Sequence, residues 1–258
     1  MTKINVPTQN NKTLELFLNK VNNSIELNTL WKASNIIAID RLGYSDHGPV
    51  HIKIVANIAL KLLRTLIKKG ISPSVVKNYS YSNEDAEVIV FLGSILHDIG
   101  HSIHREDHEL LSIFLANDIL DDLLKEVYDT EKKEIMKVEI LHCIYSHRSD
   151  ITPLTIEAGV TKIADALDIA KGRARIPFST GKVNIYSVSA MAIESVEIGE
   201  GTKVPISIKI KMRNSAGIFQ VDELLKNKIY TSGIKEYVEV VTEMGREEEK
   251  IIEKNYTI

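Results

Sequence analysis

The sequence carries histidine and aspartate side chains of the types that bind metal ions together. His97-Asp98 directly follows the apolar run 91–96, where an ionised carboxylate is costly to bury unless a cation or hydrogen bonds compensate. His51 lies on the apolar stripe of a predicted helix upstream, and Asp165 lies in another helical segment downstream. Neutral imidazole nitrogens and carboxylate oxygens suit Zn, Mn, Fe, Co or Ni, and Mg to a lesser extent. These residue types therefore predict a divalent metal site.

Further histidines lie on predicted helices downstream. His108 and His147 each share the apolar stripe of their own helix. His104 lies four residues before His108, so both side chains can face the same way on a helix. His47 lies in a loop rich in Gly and Pro and is expected not to be a ligand, although a shift of helical register would exchange it with His51. We therefore add His104, His108 and His147 to the candidate metal ligands.

Hydrophobic periodicity predicts the helices that would position these side chains. Ser82, with Asp85 three residues later, forms the capping-box pattern that begins one of them. Gly70 and Gly100 are expected to end or interrupt helices. The predicted helices span about residues 27–38, 50–69, 82–98, 107–119, 131–147 and 155–171.

The pattern changes after Pro177, where β-branched residues become frequent. The elements predicted there are a hairpin of 193–198 and 204–212, a short helix at 221–228 and a third strand at 237–241. The expected fold class is mainly α, an all-helical domain followed by a small α+β domain. The expected boundaries are an N-terminal helical extension at 1–44, the helical domain at 45–178 and the α+β domain at 179–258. The polar residues 1–12 predict a frayed terminus, and the charged tail 243–254 predicts a solvated helix or extension.

The ordered set of His51, His97-Asp98 and Asp165, each on its own predicted helix, resembles the HD superfamily of metal-dependent phosphohydrolases. The resemblance covers roughly residues 45–175 and implies the helical fold of that superfamily. A His-Asp pair alone is a weak motif, whereas four parts in order, each in helical context, are a strong one.

Two downstream segments resemble one branch of that superfamily in particular. Residues 104–109 and 162–177 are similar to the stand-alone HD phosphatase, phosphodiesterase and nucleotidase-like proteins of bacteria and archaea. Part of the second segment is also similar to the HD domain of ribonuclease Y. The chain departs from the superfamily pattern at two positions, one beside a candidate ligand of the second metal and one shortly after the His97-Asp98 pair. Arg148 follows His147 where many dinuclear members have another histidine, and His101 stands where a lysine is common.

The resemblance implies a specific set of ligands. One metal ion would be held by His51, His97, Asp98 and Asp165. In dinuclear members the aspartate of the pair bridges to a second metal bound by extra histidines, for which His108, His147 and His104 are the candidates here. The implied cofactor is one or two divalent ions per chain, drawn from Mn, Fe, Ni, Co, Zn and Mg.

The implied chemistry is hydrolysis of a phosphomonoester or phosphodiester in a small nucleotide-type substrate by a metal-activated water. Asp98 would orient the attacking water, and His101 or His104 would protonate the leaving oxygen. Because arginine and lysine bind phosphate, the expected substrate-binding residues are Arg105, Arg148, Lys171 and Arg173. An equally weighted alternative is that Arg173 and Arg175 stabilise the C-terminus of the preceding helix.

Composition limits the partners and the location. The 32 Lys and Arg residues against 35 Asp and Glu residues give a net charge of −3, which disfavours binding to extended nucleic acid. The apolar run 88–96 is shorter than the ~20 residues that a membrane-spanning helix needs, and residues 1–12 contain no signal-peptide core. Cys143 is the single cysteine, which fits a reducing compartment. We therefore expect a cytoplasmic protein that does not bind membranes.

Two other functions and one assembly remain open on the sequence alone. The first is a metal-bound module that senses a nucleotide without turnover. The second is a nuclease, which would require a basic surface stripe. The exposed edge of the small sheet could pair with a second copy of the chain, so a homodimer is a further alternative.

Overall fold

The chain folds into a series of helices followed by a small sheet. The computed structural model describes residues 3–170, 185–244 and 255–257. The α-helices are α1 Lys12–Asn23, α2 Ile25–Asn35, α3 Pro49–Lys68, α4 Ser74–Tyr79, α5 Asn83–Leu96, α6 His108–Leu124, α7 Thr130–Ser146, α8 Ile156–Ala166, α9 Ile185–Met191 and α10 Lys226–Tyr230. The strands are β1 Ile193–Glu200, β2 Ile206–Met212, β3 Val238–Met244 and β4 Asn255–Thr257. The expected fold class, mainly α with a small α+β part at the end, is confirmed.

Helix α5 lies at the centre of the helical part. All of its residues from Val88 to Leu96 are buried, as expected for a helix that is apolar on every side. It packs against α3, α7 and α8. The predicted capping box is present, because Ser82 accepts from the Asp85 backbone N–H and the Asp85 carboxylate accepts from the Ser82 N–H. The Trp31 indole of α2 donates to the Ile95 carbonyl at 3.1 Å and so fixes α2 against the end of α5.

The turn after α5 is fixed by close packing against the start of α6. Residues Ile99–Ser102 form a 3-10 turn. A Cβ atom at Gly100 would lie 2.1 Å from the His108 carbonyl oxygen, so only glycine fits there. The Ser112 hydroxyl accepts from the Gly100 N–H at 2.8 Å and donates to the His97 carbonyl at 2.7 Å. These contacts hold the His97-Asp98 segment in one position.

The frayed N-terminus expected for residues 1–12 is wrong for the part that the structure describes. Ile4 and Val6 are buried in the main apolar core. The Asn22 side chain of α1 accepts from the Ile4 N–H at 2.8 Å and donates to the Ile4 carbonyl at 2.9 Å. The buried Ile4 and Val6 side chains, together with the two hydrogen bonds with Asn22, hold this segment against the helices.

Helix α8 ends earlier than the sequence indicates. It stops at Ala166 instead of continuing to residue 171, and Leu167 donates back to the carbonyls of Ile163 and Ala164 in its last turn. Asp168 therefore lies beyond the helix, where its direction is not set by helical phase. The expected boundary at residue 178 lies outside the described residues. One apolar cluster contains side chains from the N-terminal, helical and sheet-forming parts of the chain.

The sheet has the strand order β1-β2-β3-β4. The predicted hairpin of β1 and β2 is antiparallel, whereas β2 and the predicted third strand β3 are parallel, and β4 pairs antiparallel with β3. Parallel pairing requires a crossover, which contains a π-helical turn at Gln220–Leu225 and α10 in place of the single short helix expected at 221–228. The alternate residues Ile206, Ile208 and Ile210 of β2 are buried.

Three remaining expectations concern membranes, the charged tail and a homodimer. Within the described residues, no helix combines the length and the apolar character that crossing a bilayer demands. The predicted charged tail falls largely on residues 245–254, which lie outside the described residues. The homodimer stays a prediction.

Candidate metal centre

Four buried histidines are fixed through their Nδ1 atoms. Each Nδ1 faces an oxygen that can only accept, so Nδ1 carries the hydrogen and a neutral ring keeps its lone pair on Nε2. These contacts are His51 to the Asp168 carboxylate at 2.7 Å, His97 to the Ser94 carbonyl at 2.7 Å, His108 to the Arg105 carbonyl at 3.0 Å and His147 to the Ile144 carbonyl at 2.5 Å. Such outer contacts are the usual support of metal-binding imidazoles.

The first group of ligand atoms joins α3, α5 and α8. His51 Nε2 lies 3.3 Å from His97 Nε2, 3.4 Å from Asp98 Oδ2 and 3.4 Å from Asp165 Oδ1. His97 Nε2 lies 3.3 Å from the same Asp98 oxygen. Ligand atoms about 2.1 Å from one ion are roughly 3.0 Å apart in octahedral and 3.4 Å apart in tetrahedral coordination. The lone pairs that converge here are therefore spaced as ligands of a divalent cation.

The second group uses the other oxygen of the same aspartate. Asp98 Oδ1 lies 3.3 Å from His108 Nε2 and 3.6 Å from His147 Nε2, and these two nitrogens are 3.4 Å apart. Asp98, 3% exposed, thus presents one oxygen to each group. This arrangement suits a carboxylate that bridges two metal ions. The predicted ligands of both groups are brought together, except for His104.

A third set of possible ligands lies beside the second group. His101 Nε2 is 3.7 Å from Asp98 Oδ1, and the ring centroids of His101 and His47 are 4.6 Å apart. His47, Asp98 and His101 also satisfy the distances of a metal group. The sequence did not favour His47 as a ligand, and its spacing of four from His51 was the signal that could have found it. His101 is buried, and its Nδ1 has no hydrogen-bond partner among the described residues.

Burial and the two carboxylates perturb the pKa values of the cluster strongly. Burial opposes a charge on His97, but Asp98 and Asp165 overcome it and raise the pKa of His97 to about 9. Burial likewise opposes a charge on Asp98, yet the imidazoles around it hold the pKa of Asp98 well below its usual value. Burial lowers the pKa of His147 to about 4 and that of His101 to about 3. Asp98 is thus charged and the His147 and His101 imidazoles are neutral near pH 7, whereas His97 carries a proton that a bound metal ion would displace.

His104 lies apart from the cluster. The sequence predicts that His104 and His108 share one helix face. Helix α6 begins only at His108, so His104 lies outside the helix and this prediction is wrong. The His104 side chain is exposed, and its Nδ1 accepts from the Glu106 N–H at 3.0 Å. The structure therefore corrects the placement of His104 among the ligands.

The predicted substrate-binding residues divide into three cases. Arg105 lines the cavity beside the cluster and donates to His101 Nε2 at 3.2 Å. Arg148 is turned away, because its guanidinium donates to the Asp150 carboxylate at 2.7 Å and to that of Asp107 at 3.4 Å. Lys171, Arg173 and Arg175 lie outside the described residues.

Two further residues support the cluster. Asp168 is buried and holds His51 through the 2.7 Å contact. Lys228, to which the sequence assigned no chemistry, donates to Asp165 Oδ2 at 3.0 Å and to the His147 carbonyl at 2.6 Å. No local pattern marks Lys228, because its role depends on how the crossover packs against α8.

A cavity of about 810 Å³ opens onto the cluster. Its volume lies within the usual range for small-molecule sites. One side is formed by the helical part, including Tyr44, Asp98, Arg105 and Glu109. The other side is formed by α9 and the crossover, including Ser187, Gln220, Glu223, Asn227 and Lys228.

Comparison with known proteins agrees with this geometry. The HD domain family matches residues 50–170. The chain is also 52% identical over 233 residues to "Uncharacterized protein MJ1020" of Methanocaldococcus jannaschii, covering 90% of this chain and 88% of that protein. No solved structure was found to match the chain. Since the matched residues include His51, His97-Asp98 and Asp165, the chain belongs to the HD superfamily of metal-dependent phosphohydrolases.

Proposed function

We propose that the protein hydrolyses a phosphate ester of a small nucleotide-type molecule with one or two bound divalent ions. The observation that carries the proposal is the position of Asp98, whose two oxygens face two separate groups of imidazole nitrogens. The bounded cavity beside the cluster supports a small substrate rather than extended nucleic acid. The net charge of −3 supports the same choice.

The protein's own residues prepare the centre for this reaction. Divalent ions bound there would supply a Lewis acid and an acidified water. Asp168 keeps His51 in the tautomer whose Nε2 lone pair faces the centre. Asp98 keeps the two groups together through its two oxygens. Arg105 lines the cavity next to the second group, where its guanidinium can contact phosphoryl oxygens.

The role of His101 follows from its burial. With its pKa lowered to about 3 by burial, the His101 imidazole is neutral near pH 7 and accepts from Arg105 through Nε2. A neutral ring in this position fits an acceptor or ligand role better than that of an acid. His104 is exposed, accepts from the Glu106 N–H and does not line the cavity, so no contact among the described residues supports the acid role for it.

The proposal is tested with Asp98→Asn, which keeps the shape of the side chain but removes its charge. Protein stripped with a chelator is reloaded with Mn²⁺, its metal content is counted, and hydrolysis of nucleotides and of bis-p-nitrophenyl phosphate is followed. The control is Asp122→Asn, since Asp122 has a 79% exposed side chain and is not among the residues that line the cavity. We expect Asp98→Asn to lose metal and to lose hydrolysis by more than about a hundredfold, beyond the usual effect of an outer residue.

Three results would contradict the proposal. Full hydrolysis by Asp98→Asn would remove the bridging carboxylate from the mechanism. Failure of the wild-type protein to bind Mn²⁺, Fe²⁺, Ni²⁺, Co²⁺ or Zn²⁺ would leave the histidine cluster structural. Tight nucleotide binding with metal bound and no product formed would favour a sensing module over an enzyme.

A further inference from the structure

Lys228 differs from an ordinary surface lysine because it is placed against a metal ligand. Its side chain is 20% exposed, and its ammonium lies 3.0 Å from Asp165 Oδ2. The other oxygen of Asp165 faces His51 Nε2 at 3.4 Å. The carboxylate therefore turns one oxygen to the metal centre and the other to a lysine that comes from the crossover between β2 and β3.

The segment that carries Lys228 is fixed firmly to α8. The buried Lys162 ammonium of α8 donates to three backbone carbonyls, those of Ile151 at 2.6 Å, Ser149 at 3.3 Å and Thr231 at 3.4 Å. The Thr231 hydroxyl also donates to the Ser149 carbonyl at 3.2 Å. A Cβ atom at Gly159 would lie 2.6 Å from the carbonyl oxygen of the residue after Thr231. The position of Lys228 is thus determined by packing.

The Lys228 ammonium beside Asp165 weakens the binding of a metal ion when no anion is bound. Two positive charges that share one carboxylate repel each other, and the repulsion is strong at a partly buried site. A centre that served only to hold a structural ion would gain by losing Lys228. A centre that receives an anion gains from both charges, because phosphoryl oxygens carry negative charge that the ion and the ammonium can share.

Among the described residues, Arg105 and Lys228 are the lysine or arginine side chains that line the cavity. They approach the cluster from different parts of the chain. Arg105 lies within 3.2 Å of His101 Nε2 and of His108 Nδ1, in the second ligand group. Lys228 contacts Asp165, in the first group. One positive charge therefore borders the cavity beside each ligand group, Lys228 beside the first and Arg105 beside the second.

We propose that Lys228 is a phosphate-binding residue, supplied by the β2–β3 crossover, that completes the centre for its substrate. In the ligand-free protein its ammonium rests on Asp165 Oδ2 and the His147 carbonyl. With substrate bound, it donates to a non-bridging phosphoryl oxygen beside the first ligand group. The proposal rests on the proposed hydrolysis of phosphate esters, and it assigns to the crossover the recognition of the phosphate.

The test separates anion binding from metal binding. Wild-type protein, Lys228→Met and Lys228→Arg are stripped and titrated with Mn²⁺ by calorimetry, and the Mn²⁺-loaded proteins are then titrated with inorganic phosphate. Lys226→Met is the control, since Lys226 is an exposed lysine on the same short helix. Loss of one charge-assisted hydrogen bond should weaken phosphate binding about ten- to a hundredfold in Lys228→Met. Mn²⁺ binding should be as tight as in wild type or tighter, and Lys228→Arg should retain most of the phosphate affinity.

Each contrary result has its own meaning. Phosphate affinity within twofold of wild type in Lys228→Met overturns the role of Lys228 and leaves the proposed hydrolysis standing. Loss of Mn²⁺ binding in Lys228→Met also overturns it, because Lys228 would then serve to hold Asp165 in place for the ion. If the wild-type protein binds no Mn²⁺, the proposed function and the role of Lys228 both fail. An equal loss of phosphate affinity in Lys226→Met would reduce the effect to general surface charge.

Discussion

Asp168 offers the sharpest test of how the first ligand group is supported. Its carboxylate is buried and accepts from His51 Nδ1 at 2.7 Å. Replacement by alanine removes that acceptor, so the His51 ring can rotate and its Nε2 lone pair no longer points firmly at the centre. A hydrogen bond to a charged group contributes about 1.5–3 kcal/mol. At about 1.4 kcal/mol for each tenfold change, this corresponds to roughly a 10- to 150-fold loss of metal affinity. The value agrees with the 10- to 100-fold effect typical of residues that orient metal ligands.

The two ligand groups make the prediction specific. His51 belongs to the first group, whereas the second consists of Asp98, His108 and His147. Calorimetric titration of chelator-stripped Asp168→Ala with Mn²⁺ should therefore show one weakened class of site. If a second ion binds, its affinity should change much less. Asp168→Asn, whose amide oxygen still accepts from Nδ1 without a charge, should fall between wild type and Asp168→Ala.

Asp122→Ala serves as the control because the Asp122 side chain is 79% exposed. Thermal unfolding of each metal-free variant establishes that the comparison is made between folded proteins. A folded Asp168→Ala that binds Mn²⁺ within twofold of wild type would refute the reasoning. Equal weakening of two classes of site would show that Asp168 supports the whole fold of the centre instead of His51.

Two further predictions concern stability. Gly100→Ala should lower the free energy of unfolding by more than about 2 kcal/mol in denaturant titration, since its Cβ would meet the His108 carbonyl at 2.1 Å, whereas Gly199→Ala, with open space around it, should stay within about 0.5 kcal/mol of wild type. Burial, followed by the charge of Glu157, raises the pKa of Glu139, so this carboxyl stabilises the fold at acidic pH and that contribution is lost as the pH rises through its native pKa. Glu139→Gln should therefore raise the free energy of unfolding at pH 7, with little gain near pH 4. An equal gain at both pH values would contradict this cause.

The helices that position the centre could be predicted because their signals are local. The apolar stripe that contains His51 and the capping box at Ser82 depend on neighbouring residues only, and the structure places both within a turn of the expected positions. The convergence of His51, His97-Asp98 and Asp165 is implied by the resemblance alone, and in the structure these side chains lie together.

What the sequence did not indicate depends on contacts between distant segments. Because α8 ends at Ala166, the direction of the Asp168 side chain is not set by helical periodicity. Its contact with His51 therefore could not be predicted from residue spacing. Lys228 reaches Asp165 only because β3 pairs parallel to β2 and the chain must cross over between them. Ile4 is buried by its pairing with Asn22, which no pattern within residues 1–12 indicates.

The crossover between β2 and β3 also ties the completion of the centre to the order in which the chain is made. His51, Asp98 and Asp165 leave the ribosome well before Lys228, and the helices that carry them pack through contacts available by then. Parallel strand pairing is a non-local event and is slow compared with helix packing. A nascent chain thus acquires its metal ligands early and its lysine late, so a chain that ends before α10 would present Asp165 without the charge that partners it in the finished protein.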